Sequence, residues 1–313
     1  MTRAEGRRLV RVGFIVKIVC LALLLWLLSR FVGWRSVADA LGKCDRGRIA
    51  VACFVFTPLV ILGKAVRWHI MARSAVPGLN FARSFRSYMA GLCLACLTPA
   101  AAGELARGVY LSRDRKTELT TIALADKLID LTALCAVAAV GGGYALGGAI
   151  LIPLGLLIAA GGWSAWFVMP TLQSRIADRL PAGRLWDFVR RAAGAVAGIS
   201  PRLAAQCALL ATANFLIYFV QTWVVMRAFM PEFDFRAIAV FPLVTLSTLL
   251  PLTPIGGIGV RESAAALLLS RFNVPPEVAV NAAFIQYAIV TLVPALLGAV
   301  FVINFPSGDG KTR

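Results

Sequence analysis

Long apolar runs separated by short basic connections make up most of this chain, and the length of each run decides how it reads. A helix needs about 20 residues to cross a hydrocarbon core of roughly 30 Å. Six runs meet or approach that length: residues 12–33, 49–66, 119–141, 147–169, 204–226 and 279–303. Two others, residues 87–103 and 238–258, are broken near their ends by Thr-Pro and small residues, in CLTPAAAGE and LPLTPIGGIG. Proline removes a helix donor and glycine weakens the helix, so each of these two contains a predicted break. The pattern predicts an all-α polytopic membrane protein. It forms a single integral-membrane domain of about six transmembrane helices plus two re-entrant or broken helical segments.

Composition agrees. The 313 residues are 59% apolar and 15% charged, against roughly half and a quarter in a soluble domain, and the mean hydropathy is +0.80. The opening MTRAEGRRLVR imitates a signal peptide, but Ser29, Arg30 and Phe31 make no small-residue cleavage site, so it reads as a retained first span. A net charge of +17 would suggest nucleic acid in a soluble protein. Here the basic residues lie between apolar spans, where anionic lipid headgroups are the nearer partner. No nucleic acid, cofactor or metal is expected. Six of the seven cysteines lie in apolar segments, and the CxxC of Cys93 and Cys96 sits among leucines and alanine, which points to packing.

The basic residues also orient the chain. With a cytoplasmic N-terminus, 21 lysines and arginines fall in inside connections and 7 in outside ones, as the positive-inside rule requires. Both termini and a connection at about 170–203 are then cytoplasmic, in what reads as a bacterial inner membrane. Segment 87–103, flanked by basic clusters on both sides, enters and leaves from the cytoplasm, while 238–258 dips in from the opposite side. Residues of about 49–141 and about 204–303 thereby form mirror topologies, an inverted repeat. Both breaks carry Leu-Thr-Pro, at Leu97–Pro99 and Leu252–Pro254, each followed by a Glu and an Arg. Paired interrupted segments in inverted halves point to a transporter binding site. The plainer alternative is eight ordinary helices, two of them kinked by proline. Residues 34–48 and 183–199 read as interfacial stretches or as solvated connectors.

Ionisable groups at membrane depth cost about 2.5–3.5 kcal/mol each, so they persist where they pair or face a cavity. Here they cluster: Lys64 and Arg67, Glu104 and Arg107, Asp126, Lys127 and Asp130, Arg261 and Glu262. Asp126 and Asp130 share a helix face, and Lys127 is placed to reach Asp130. One lysine cannot neutralise both acids, so Arg107 or Arg261 is the expected further partner, and Asp126, Asp130, Arg107 and Arg261 are expected to converge. A salt-bridge lattice that only holds helices together accounts for these residues about as well as a binding site does. In TPIGGIGVRE, side-chain-free Gly256, Gly257 and Gly259 let backbone amides approach a ligand, and a helix starting near Ile258 presents unpaired N–H groups. With Arg261 one turn on, this suits a phosphate carried on a lipid. Ala102 and Gly103 form a weaker counterpart.

Arg67-Trp68, TPAAAGELAR, DKLID and especially TPIGGIGVRE resemble the lysylphosphatidylglycerol synthase transmembrane-domain family. This flippase-like family includes proteins formerly labelled dolichol-phosphate-glucose synthetases. The resemblance covers nearly the whole chain and rests most firmly on the glycine-rich motif. It departs at Asp126-Lys127, where the family often has Glu-Arg, exchanging a forked guanidinium for a point charge. The resemblance implies a protein that moves a phospholipid or lipid-linked anionic headgroup between leaflets, with Arg67, Glu104, Arg107, Asp126, Lys127, Asp130, Gly256, Gly257, Gly259, Arg261 and Glu262 as substrate-binding candidates. No Walker motif is present, and no stretch is long and polar enough for a soluble catalytic domain. An integral-membrane transferase acting on a lipid phosphate, or a non-catalytic assembly subunit, are the alternatives. Assembly as a homo-oligomer is compatible with these features. His69, the single histidine, reads as a packing residue.

Overall fold

A computed structural model describes residues 38, 39, 41, 42, 44–96, 98–112, 114–148, 150–162, 164, 199–248 and 258–304. The expected span 12–33, most of the connection at 170–203, the interfacial stretch 183–198 and the tip of the second break, with Gly256 and Gly257, lie outside them. The described residues are helical, without strands.

Two runs of the chain repeat one order of elements: long helix, helical hairpin, long helix. In the first run, helix α1 spans Arg46–Ala75, with one π turn at Ala52–Phe56. Its start is capped by Asp45, whose carboxylate accepts from the Gly47 and Arg48 amides. A hairpin follows, formed by α2 (Phe81–Cys96), a 3₁₀ turn (Pro99–Leu105) and α3 (Ala106–Leu111). Helix α4, Lys116–Leu146, closes the run and ends on Gly147 at φ +73°. A short apolar helix α5, Leu151–Gly162, lies between the runs.

The second run opens with α6, Pro201–Phe229, capped by Ser200 with Pro at its first turn. Its hairpin comprises a 3₁₀ turn (Phe235–Val240), α7 (Phe241–Ser247) and α8 (Val260–Leu269). Helix α9 runs through Pro276–Tyr287, a π turn at Ala288–Leu292 and Val293–Asn304.

Among the described residues, α1, α6 and α9 are long and apolar enough to cross a membrane. Only 22% and 28% of the most apolar stretches of α1 and α6 are buried, and Phe54, Leu209 and Leu267 stand exposed. Such surface needs a hydrocarbon solvent, so the chain is an all-α membrane protein. Two boundaries differ from the expectations. Helix α1 continues to Ala75 rather than ending at residue 66, which carries Lys64 and Arg67 inside the helix. The described part of the expected span 147–169 forms a helix of 12 residues, about 18 Å long.

The first broken segment folds back on itself, and α7 packs against α8 in the second run. In the first hairpin Thr98 Oγ donates to the Leu94 carbonyl at 3.1 Å and accepts from the Gly103 amide at 2.6 Å, while Pro99 has no N–H with which to extend α2. The returning leg lies so close that a Cβ at Gly103 would strike the Leu94 carbonyl. The mouth is closed by Arg83, which donates to the Leu111 carbonyl at 2.9 Å. Arg115 donates to the Ala75 carbonyl, so the first hairpin opens beside the C-terminal end of α1. At the other end of α1, the Asp45 amide donates to the Ala228 carbonyl at 2.9 Å and Arg48 donates to the Arg227 carbonyl. The second hairpin follows directly from there and therefore opens beside the N-terminal end of α1.

Packing between the runs is reciprocal. The first leg of the first hairpin, α2, lies on α9, where a Cβ at Gly298 would meet the Met89 carbonyl. The first leg of the second hairpin lies on α4, where a Cβ at Gly141 would meet the Ala239 carbonyl. Each hairpin thus rests on the last helix of the other run.

Candidate functional site

A buried ionic lattice joins α1, the first hairpin and α4. Arg67 Nε donates to Asp126 Oδ1 at 2.5 Å and its Nη1 to Asp130 Oδ1 at 2.6 Å. Arg107 Nη2 donates to Asp126 Oδ2 at 2.6 Å and to the Ala123 carbonyl at 3.2 Å. Both oxygens of Asp126 are therefore occupied. Lys127 reaches back to Glu104 Oε2 at 2.8 Å. Trp68 organises the centre: its ring lies 4.4 Å beneath the Arg107 guanidinium, and its indole N–H donates to Ser87 Oγ at 2.9 Å. Three cations face three carboxylates, so the lattice neutralises itself. In a low dielectric, charges persist when paired and hydrogen-bonded in this way.

The sequence expectations need two corrections. Lys127 pairs with Glu104, not Asp130, because the Arg67 fork already spans Asp126 and Asp130 and the returning leg of the hairpin brings Glu104 to the lysine. Arg261 does not join Asp126, Asp130 and Arg107. Its guanidinium lies 4.3 Å over the Tyr287 ring, and no carboxylate among the described residues forms an ion pair with it.

Arg261 faces a second feature, a cavity of about 130 Å³ between the two runs. Lys64 comes to it from α1, Asn214 and Tyr218 from α6, Thr245 from α7, and Tyr287 and Thr291 from α9. At about 30 Å³ per water, it has room for roughly four waters or a group of similar size. Lys64 lies three residues before Arg67 and so shares its helix face. It belongs to none of the lattice's ion pairs. Lys64 and Arg261 are thus two cations that the lattice does not consume. Arg261 Nε is buried without a hydrogen-bond partner.

The end of α2 and the start of α8 both reach Tyr287, which lines this cavity. Cys96, at the end of α2, lies 3.5 Å from the Tyr287 hydroxyl, and Arg261, at the start of α8, covers the same ring. Gly259 takes φ +91°, a conformation glycine adopts without strain. Its amide donates to Glu262 Oε2 at 2.6 Å, so the N-terminus of α8 is capped by its own carboxylate. Gly103, the expected counterpart, has its amide engaged by Thr98 and serves the hairpin reversal. Sequence reasoning missed Asn214, Tyr218, Thr245 and Tyr287 as cavity residues. An amide in the apolar run ALLATANFLIYF is the signal that could have marked Asn214.

Long helices with exposed apolar faces, two helical arms that share a contact at Tyr287, and buried charges between helices define a polytopic membrane protein with a polar centre. Residues 14–298 match the family described as the lysylphosphatidylglycerol synthase transmembrane region, and the chain belongs to it. No curated protein matches the chain.

Proposed function

We propose that this protein moves a lipid with an anionic headgroup between leaflets, the headgroup passing through the cavity between the two runs while its tails remain in the bilayer. The observation that carries the reading is the pair of cations, Lys64 and Arg261, left facing the cavity by a lattice that neutralises its own charge. An anion would complete them. Hairpin mouths at opposite ends of α1, with Cys96 of α2 and Arg261 of α8 both against Tyr287, support reading the two runs as inverted halves, an arrangement that puts transporter sites at the repeat interface. In this reading both termini are cytoplasmic and the membrane is a bacterial inner membrane. The lattice of Arg67, Arg107, Asp126, Asp130, Lys127 and Glu104 holds α1, the first hairpin and α4 in place. Lys64 and Arg261 take the phosphate.

Proteoliposomes carrying headgroup-labelled anionic lipids test this, with an impermeant quencher reporting transbilayer movement. Arg261→Ala should slow movement about tenfold or more, since a charge-assisted hydrogen bond contributes about 1.5–3 kcal/mol. Arg261→Lys should recover part of the loss, and Lys64→Ala should add to it. Full movement by a correctly inserted Lys64→Ala, Arg261→Ala double variant would overturn the proposal. So would chemical conversion of the headgroup without movement, which would identify a transferase.

A further inference from the structure

We infer that α9 bends at its π turn, Ala288–Leu292, which is a hinge between the second run and the first hairpin, while the matching turn in α1 is held rigid by Gln221. The hinge stands on backbone and packing; its place in moving a lipid rests on the transport reading.

Both π turns arise from the sequence in the same way. Each opens at an alanine, Ala52 or Ala288, and closes just before a proline, at Thr57-Pro58 or Val293-Pro294. Pro58 and Pro294 have no N–H, so the carbonyls of Phe54 and Val290 lose their helix donor, and in a regular α-helix the proline ring would also press on that carbonyl. A wider turn relieves the crowding. The Thr57 amide donates to the Ala52 carbonyl and the Val293 amide to the Ala288 carbonyl, one residue further back than in an α-helix. Each helix therefore has one point with weakened backbone bonding, and the two points touch.

Side chains make the two points unequal. Gln221, fully buried on α6, reaches the α1 turn, where its Nε2 donates to the Ala52 carbonyl at 2.9 Å and to Thr57 Oγ1 at 2.8 Å. Thr57 Oγ1 in turn donates to the Ala52 carbonyl at 3.2 Å. Helix α6 also packs on α1 before, at and after the turn, so α1 is fastened along its length. Among the described residues no side-chain hydrogen bond reaches the α9 turn.

Packing divides α9 at that same point. Its first part, Pro276–Tyr287, lies on α6 and α8, and its second, Val293–Asn304, lies on α2, where a Cβ at Gly298 would meet the Met89 carbonyl. The two parts thus hold to different bodies, and a shift of α2 against the second run falls on the turn between them. Val290 and Thr291, inside the turn, and Tyr287, just before it, line the cavity. A bend there reshapes the cavity wall.

Pairs of spin labels in the full-length chain, with its native cysteines replaced and in nanodiscs of phosphatidylglycerol and phosphatidylcholine, measure the bend as a distance distribution. Labels at exposed Val280 and Val300 straddle the α9 turn, about 30 Å apart in a straight helix, and labels at exposed Val51 and Val66 straddle the α1 turn, about 22 Å apart. The α9 distribution should be about twice as wide as that of α1, or split in two. Pro294→Ala restores the missing donor and should narrow it to the α1 width. Gln221→Met removes the fastening and should widen the α1 distribution, with Gln221→Leu as a second variant if methionine misfolds. Equal widths in the native chain, an α9 width unchanged by Pro294→Ala, or an α1 width unchanged in both Gln221 variants overturns the inference. Transbilayer movement of headgroup-labelled lipid is read in parallel, and Pro294→Ala should slow it about tenfold. A bending α9 in a native chain that moves no lipid supports the inference and overturns transport; a straight α9 in a native chain that moves lipid does the reverse.

Discussion

Arg67→Met tests the energetics of the lattice most directly. The substitution keeps an unbranched apolar stem in a residue that is only 1% exposed and removes the fork that binds two carboxylates. Asp126 retains Arg107, but Asp130 loses its one ion-pair partner, with Lys64 only nearby. Stranding a buried charge costs about 3–5 kcal/mol. The Asp130 side chain is 19% exposed, so the lower end, about 3 kcal/mol, is expected. Asp130→Asn in the same background removes the stranded charge. The double variant should then recover at least about 1 kcal/mol relative to the sum of the two single losses. Unfolding by titrated denaturing detergent in mixed micelles, followed by tryptophan fluorescence and circular dichroism, measures each corner of the cycle. A loss below about 1 kcal/mol for Arg67→Met would place the interaction with exposed ion pairs and refute a buried lattice. Strict additivity would refute the direct coupling of Arg67 to Asp130.

Three further outcomes follow from the same structure. Gly298→Ala and Gly141→Ala each push a methyl group into a facing carbonyl and should each destabilise by about 1–3 kcal/mol in the same unfolding assay. Gly161→Ala, which meets nothing within 4 Å, should be neutral or stabilise slightly as alanine replaces glycine in a helix. Lys127→Ala removes a pair whose side chains are 29% and 20% exposed. It should cost about 1 kcal/mol, less than Arg67→Met, and an equal cost would contradict the graded burial. In a cysteine-free background, Arg184→Cys should resist an impermeant thiol reagent in intact cells and react after lysis, and labelling before lysis would overturn the proposed orientation.

Much of the architecture was legible because membrane helices announce themselves by run length and their breaks by composition. The Thr-Pro steps at Thr98–Pro99 and the basic flanks of 87–103 foretold a reversal, and the structure folds that reversal into a hairpin. The carboxylate face was legible too, since Asp126 and Asp130 are one helical turn apart. Arg107, one of the two partners expected for them, does pair with Asp126, but Arg67 was not foreseen in that role, because it arrives from 59 residues away, a matter of tertiary packing that local spacing does not encode. The same limit misdirected Lys127: the i to i+3 neighbour was visible in the sequence, whereas Glu104 reaches the lysine only after the hairpin closes. Arg261 was expected among the acids on grounds of charge alone. An aromatic face offered it a second way to be buried, and Tyr287 could be identified as that face only once α8 and α9 were packed.

The crossed placement of the hairpins constrains how such a molecule can move. Because α2 lies against α9 at a glycine, and the first leg of the second hairpin lies against α4 at another, neither run can swing away as a rigid body without dragging the other's arm with it. Smooth glycine contacts permit sliding along the helix axis, which is shear rather than hinge motion. The end of α2 and the start of α8 also share one tyrosine: a slide of α2 would move Cys96 from Tyr287, and a slide of α8 would move Arg261 from the same residue. Under the transport proposed above, Tyr287 would be the shared contact through which a shift of one arm is felt by the other.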